Sequence, residues 1–193
     1  MYLSPQNFSS KIDLENRYMN DNGSRCLLTV DGTDFKILEP TPFSHTWYSF
    51  KFKHAGLRYE IAICIQTGWI CWVNGPFKPG QYNDHQIFQL GLDEMLDNGE
   101  RMEVDNGYNG NARYSRPNDC EGNNGWGRMK ANARARYGNV NGKLKEFNIL
   151  EHTFRNERGN HTLFFHAVVA VVQFSIMNGS TTYQIDYTVG QGA

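Results

Sequence analysis

A chain of 193 residues is long enough to bury the core of one ordinary domain and too short for two comfortable ones. With 39% hydrophobic and 20% charged residues, the composition is that of a globular protein and excludes a disordered or fibrous one. A formal net charge of −1 excludes a uniformly basic surface, so any contact with nucleic acid has to come from a local patch.

Residues 1–24 are polar, rich in Asn and Ser, and end in the turn-forming Asp21-Asn22-Gly23-Ser24, which reads as a lead-in segment. They lack the apolar run of a signal peptide. The longest apolar run, Leu163 to Met177, is interrupted by His166, Gln173 and Ser175, so neither secretion nor a membrane span is expected. The expected location is intracellular, and the nucleus in a eukaryotic host. The four cysteines, Cys26, Cys64, Cys71 and Cys120, form no C-x-x-C pair and read as reduced, structural thiols. The domain itself is expected over residues 25–179, with a short tail over 180–193.

Cys26-Leu27-Leu28-Thr29-Val30-Asp31 reads as a buried strand, and Gly32 permits a bulge or bend before Phe35-Lys36-Ile37, which puts Asp31 at a strand end. Aromatic and polar residues alternate from Trp47 to Lys53. His54-Ala55-Gly56 then turns the chain into a second strand, Arg58 to Ile65. Thr67-Gly68 closes a hairpin onto a third strand, Trp69 to Val73, stopped by Asn74-Gly75-Pro76, so the three form an antiparallel meander.

After Asn83-Asp84, the residues Ile87, Phe88, Leu90, Leu92, Met95 and Leu96 fit one amphipathic helix, ended by Asn98-Gly99. Arg101 to Asp105 is a short strand, followed by a long loop to about Gly127. Met129 to Leu150 reads as a helix with a basic exposed face, and Thr162 to Met177 as a helix apolar on most sides, hence a core helix. The fold class is therefore α/β, a mixed sheet with an antiparallel three-strand meander flanked by helices. Three strands, a helix, a strand and then helices is the element order of the ribonuclease-H-like fold, although other mixed folds share it.

Two aspartates each close a hydrophobic strand: Asp31 in TVDGTDF and Asp105 in MEVDNGY. Carboxylates at neighbouring strand ends repel one another unless a cation lies between them, which suits Mg²⁺ or Mn²⁺. Each motif taken singly is also ordinary turn sequence. Asp84, just before a helix, suits N-capping as well as ligation. Arg128, Lys130, Arg134, Arg136, Lys143 and Lys145 form a basic run with no acid until Glu146. Such a run is either a solvated helix face or a surface for backbone phosphates, and His152, Arg155, Arg158 and His161 extend it. The six histidines show no zinc-ligand spacing.

The ordered set Val30-Asp31-Gly32-Thr33, Lys51-Phe52-Lys53 with Gly56 and Arg58-Tyr59-Glu60-Ile61, Gly75-Pro76-Phe77 with Asp84, Asp105-Asn106-Gly107-Tyr108, and Arg134 through Lys145 resembles the DDE superfamily endonucleases, the transposase group that includes Harbinger-like elements. The resemblance covers roughly residues 26–178. It implies a ribonuclease-H-like catalytic domain acting on DNA, with acidic residues holding Mg²⁺ or Mn²⁺ for phosphodiester hydrolysis or strand transfer. Asp31 would bridge the metals, Asp105 would bind one of them, and Asp84 is a further acidic candidate.

The third acid is where the chain departs from the family pattern. Aligning Arg134 and Lys145 without a gap puts the expected glutamate at Gly138 and the preceding histidine at Tyr137. Glu146 lies eight positions on, roughly 12 Å along a helix and too far to share a metal, whereas Asp119 and Glu121 sit in the preceding loop. The expectation is an endonuclease-like domain with impaired activity. The alternative is a catalytically inactive, domesticated transposase serving as a DNA-binding or protein-interaction module. No helix-turn-helix precedes residue 25, so target selection calls for a separate DNA-binding subunit or a further N-terminal part.

Overall fold

The computed structural model describes residues 14–18, 26–119 and 125–180, with side chains in the long helix from Lys130 onward. Six strands form one mixed sheet: β1 (Cys26–Lys36), β2 (Tyr48–Ser49), β3 (His54–Cys64), β4 (Ile70–Phe77), β5 (Arg101–Glu103) and β6 (Tyr114–Ser115). Their order is β2-β3-β1-β5-β6, with β4 also paired to β3. β3 runs antiparallel to β1, β2 and β4. β5 runs parallel to β1, and β6 parallel to β5. At the β3–β4 hairpin, Gly68 adopts φ 74° and its N–H donates to Cys64 O at 2.9 Å; glycine takes that left-handed conformation without steric cost.

β1 corrects one expectation. The chain does not bend at Gly32: the ladder to β3 continues through Asp31↔Ile61 and Gly32↔Glu60 to Lys36↔Gly56, so Asp31 sits mid-strand. The glycine makes room rather than a turn. A Cβ added at Gly32 would lie 2.1 Å from Asp84 Oδ1, so the missing side chain is replaced by a carboxylate packed onto the strand.

Alternation along β1 and β3 builds two cores, one on each face of the sheet. Phe35, Tyr59, Ile61 and Ile63 pack against α3 (Gly125–Lys145) and α5 (His161–Met177) through Tyr137, Val140, Leu144, Phe165 and Val169. Leu28, Val30, Ala62 and Cys71 pack against α1 (Asp84–Gln89) and α2 (Leu92–Met95) through Phe88 and Leu92, with Tyr108 and Tyr114.

Four segments after β4 differ from the sequence expectation. The amphipathic segment after Asn83 is two short helices, α1 and α2, and Leu90 and Met95 are 61% and 51% exposed. The break falls at Gly91, where a Cβ would meet the side chains of Asn74 and Trp72 at 2.8 and 2.9 Å. The loop after Asp105 contains β6 and a 3-10 turn at Pro117–Asp119. The expected helix from Met129 to Leu150 is α3 followed by a separate turn, α4 (Asn148–Glu151), interrupted at Phe147, whose ψ of 115° is extended. Finally, α5 is not enclosed: His161, Phe165, Val169 and Val172 are buried, while Leu163 and Phe174 are 50% and 69% exposed. Arg158–Met177 is long and apolar enough to cross a membrane by length and composition, and one side of it packs against the sheet through Phe165, Val169 and Val172.

Candidate functional site

The parallel register of β1 and β5 sets Thr29 opposite Glu103. Two residues further along each chain are Asp31 and Asp105, which the sheet therefore brings side by side. Past the end of β5, Asp105 turns the backbone: its Oδ1 accepts from Gly107 N–H at 2.8 Å, an Asx turn. Asp31 Oδ1 accepts from Gly32 N–H at 2.7 Å.

The third wall is α3. Tyr137 Oη donates to the Asp31 carbonyl at 2.9 Å, and Thr33 Oγ1 donates to Asn141 Oδ1 at 2.8 Å. The buried Arg136 guanidinium donates to the carbonyls of Ile65 and Gln66 at the β3–β4 turn. These contacts fix the rotation of the helix over the sheet, so that Gly138 opens onto a cleft of about 200 Å³ lined also by Asp31, Asp105, Arg134, Tyr137 and Asn141. A Cβ added at Gly138 would meet nothing within 4 Å.

Burial pushes the Asp31 carboxyl up to about 6, and the charges of Asp84 and Asp105 add to the effect while Lys51 opposes it. Lys51 Nζ lies 3.9 Å from Asp31 Oδ1 and donates to Gly32 O at 2.6 Å. A cation beside Asp31 is thus already part of the fold. Asp31 and Asp105 are the carboxylates that could hold a divalent ion. They suit one ion that keeps most of its waters, and among the described residues no group of three or more His, Cys, Asp or Glu side chains is assembled for a metal.

Asp84 is not brought into this cleft. Asn83, not Asp84, is the N-cap of α1, in a reciprocal capping box with Gln86. Asp84 turns instead onto Gly32 and Arg58, with Arg58 Nη1 at 3.2 Å, on the sheet face opposite Tyr137. Arg58 is in turn held by Asp34 through bonds of 2.6 and 2.9 Å. Burial raises the Asp84 carboxyl, and Arg58 opposes that rise.

The basic run is also narrower than its sequence implies. Lys130 and Arg136 are buried; Lys130 donates to Arg116 O at 3.0 Å and lies 3.9 Å from Glu103. Neither contributes to an exposed basic face, because each satisfies carbonyls or an acid inside the fold. Arg134 lines the cleft, Lys143 reaches Ser180 Oγ at 2.7 Å, and Lys145 ends α3. The side chain of Arg128 and residue Glu121 lie outside the described residues. Of the proposed extension, His161 is buried against Tyr59 Oη at 2.9 Å, and burial lowers its imidazole to about 4. Arg158 stacks over Trp47. Asp119 is paired with Arg116 at 2.9 Å, which lowers its carboxyl.

Thr33, Lys51 and Asn141 are site residues that spacing alone does not single out. Thr33 carries the best signal, since it lies two residues from Asp31 on the same strand and so shares its face. The family model described as DDE superfamily endonuclease matches residues 30–173, a span that includes both aspartates and Gly138. No curated protein and no solved structure matches the chain. With strand neighbours, cleft and matched span in agreement, the chain belongs to the DDE superfamily endonucleases.

Proposed function

We propose that this chain is a transposase-derived, ribonuclease-H-like DNA endonuclease domain whose phosphodiester chemistry is impaired at Gly138. The ribonuclease-H-like reading is supported by the strand neighbours β4-β3-β1-β5-β6, antiparallel on one side of β1 and parallel on the other. The observation that carries the functional reading is the position of Gly138: it shares a cleft with Asp31 and Asp105, in open space that a third carboxylate would fill. In this reading Asp31 and Asp105 would hold Mg²⁺ or Mn²⁺, which would supply activation of water or a 3′-hydroxyl and stabilisation of the leaving oxygen. Arg134 places a DNA phosphate over the cleft by charge-assisted hydrogen bonds. Lys51 neutralises part of the charge at Asp31.

The test is nicking of supercoiled plasmid by the purified chain in Mn²⁺. Little or no nicking is expected from the natural sequence, with a gain in Gly138→Glu. Vigorous nicking that disappears in Asp31→Ala would overturn the impairment. The incomplete acid set also favours a second reading, a domesticated module that binds DNA or another protein without cutting, with a separate subunit choosing the target. In that case Asp31→Ala and Asp105→Ala leave DNA affinity unchanged.

A further inference from the structure

A second cavity, of about 370 Å³, adjoins the cleft and shares Asp31 and Asn141 with it. Its size falls within the range of small-ligand sites. Lys36, Lys51, Lys145 and Phe52 line it, and the three lysines come from three separate places: the end of β1, the turn after β2 and the last turn of α3.

Lys36 and Lys51 are exposed and Lys145 is half-buried, and each ammonium group has a neighbour on the cavity wall. Lys51 is drawn in by the Gly32 carbonyl at 2.6 Å. Lys36 Nζ lies 5.8 Å from the Phe52 ring centre, and Lys145 Nζ lies 5.9 Å from that of Phe35. Phe52 is itself seated on Gly56, where a Cβ would come within 2.6 Å of its ring. The charges repel one another: burial, then Lys51, and more weakly Lys36, hold the Lys145 ammonium below the usual lysine range, with Asp34 and Asp31 opposing.

Of the acids on the wall, Asp31 lies 3.9 Å from Lys51 and offsets that charge in part. Asp34 is already engaged by Arg58 at 2.6 Å and by Ser49 at 2.5 Å. The Glu151 side chain is 55% exposed at the rim. Three converging cations beside an aromatic ring, one of them shared with Asp31 and with Asp34 held by Arg58, attract an anion that carries a flat or apolar part.

We propose that this cavity is a subsite for one backbone phosphate and its adjoining nucleoside in a DNA strand, with Lys36, Lys51 and Lys145 gripping the phosphate and Phe52 backing the nucleoside. The proposal rests on the DNA-directed reading above. Arg134 and Lys145 are eleven positions apart on α3, roughly 16 Å at 1.5 Å per residue. A strand crossing from Arg134 to the lysines therefore passes Asp31, and the subsite sets the register of the strand at that carboxylate.

The test is fluorescence anisotropy of the full chain with a labelled single-stranded oligonucleotide, titrated with salt in EDTA so that nothing is cut. Lys36→Gln/Lys145→Gln is expected to weaken binding about tenfold, equally for different sequences, and to reduce the salt slope by roughly 0.7, the value for one single-strand phosphate contact. Lys36→Arg/Lys145→Arg should restore it. Lys53→Gln, an exposed lysine outside the cavity, should change binding far less. A neutral methylphosphonate linkage scanned along the strand should cost the natural protein affinity at one position and cost the double Gln variant, which keeps Lys51, clearly less there.

An unchanged slope in the double Gln variant, with DNA still bound, overturns the subsite and leaves the DNA-directed reading standing. Competition by inorganic phosphate as effective as that of the oligonucleotide at equal phosphate concentration also overturns it, reducing the cavity to a general anion site. Failure of the natural protein to bind DNA at all removes the broader reading and the subsite together.

Discussion

Gly138→Glu is the most informative single change. Glycine in a helix interior is about 0.5–1 kcal/mol less favourable than a straight-chain residue, and nothing lies within 4 Å of the new Cβ, so no steric term offsets that gain. Electrostatics does. A new carboxylate facing Asp31 and Asp105 in a half-open cleft brings repulsion on the order of 1 kcal/mol, which cancels most of the helix gain when no divalent ion is present.

Melting in EDTA should therefore differ little between Gly138→Glu and the natural sequence. In Mn²⁺ the repulsion becomes attraction. The variant should then melt about 2–4 °C higher per kcal/mol for a domain of this size, plus the stabilisation that ligand binding itself confers. The assay is paired thermal melts, with Asp31→Ala carrying the same Gly138→Glu change as control. A variant stabilised by about 2 °C in EDTA and indifferent to Mn²⁺ would show that position 138 does not face the aspartates, and would refute the site as drawn.

Four further outcomes follow from the buried charges. Because the Asp31 carboxyl is raised to about 6 and must be ionised to bind metal, Mn²⁺ affinity by calorimetry should fall up to about tenfold per pH unit below 6. A raised carboxyl contributes stability at low pH that is lost as pH rises through 6, so the metal-free protein loses this contribution between pH 4 and 6, and Asp31→Asn removes that slope. Glu60, raised to about 8 by burial while Trp72 opposes, follows the same sign: Glu60→Gln should match the natural protein in stability near pH 4 and lack its decline from about pH 4.5 to 8, whereas equal declines in the two proteins over that range would mean that the side chain is ionised in the folded state there. Asp34→Asn leaves Arg58 buried with Asp84 as its remaining acid and should cost about 3 kcal/mol in urea denaturation; a loss under 1 kcal/mol would show that Asp84 alone satisfies the guanidinium.

The strands around Asp31 are legible because apolar residues crowd them and turn residues bracket them: Thr67-Gly68 marks the β3–β4 hairpin, where Gly68 takes positive φ. The aspartate pair is legible as two strand-associated acids, but their adjacency depends on parallel pairing of β1 with β5, a contact across more than seventy residues that no local pattern encodes. Gly32 misleads for a physical reason. Read locally it is a breaker, whereas its actual role is to admit Asp84 from another element.

The basic run fails in a related way. Charge along a helix says nothing about which residues turn inward, and Arg136 and Lys130 do so because strand and loop carbonyls need donors. The exposed apolar side of α5 is likewise invisible to composition, since a helix apolar all round is the same string whether one face or two are covered.

Arg136 and Tyr137 tie α3 to the sheet at the two residues immediately before Gly138, one through the hairpin carbonyls and the other through the backbone of Asp31. The orientation of the helix is thus set by neighbours of position 138 and owes nothing to position 138 itself. Residue 138 is consequently a free variable of the architecture: it can change identity while the scaffold around it keeps its shape. In this protein, persistence of the fold and persistence of the chemistry are separable properties, held by adjacent residues on one helical turn.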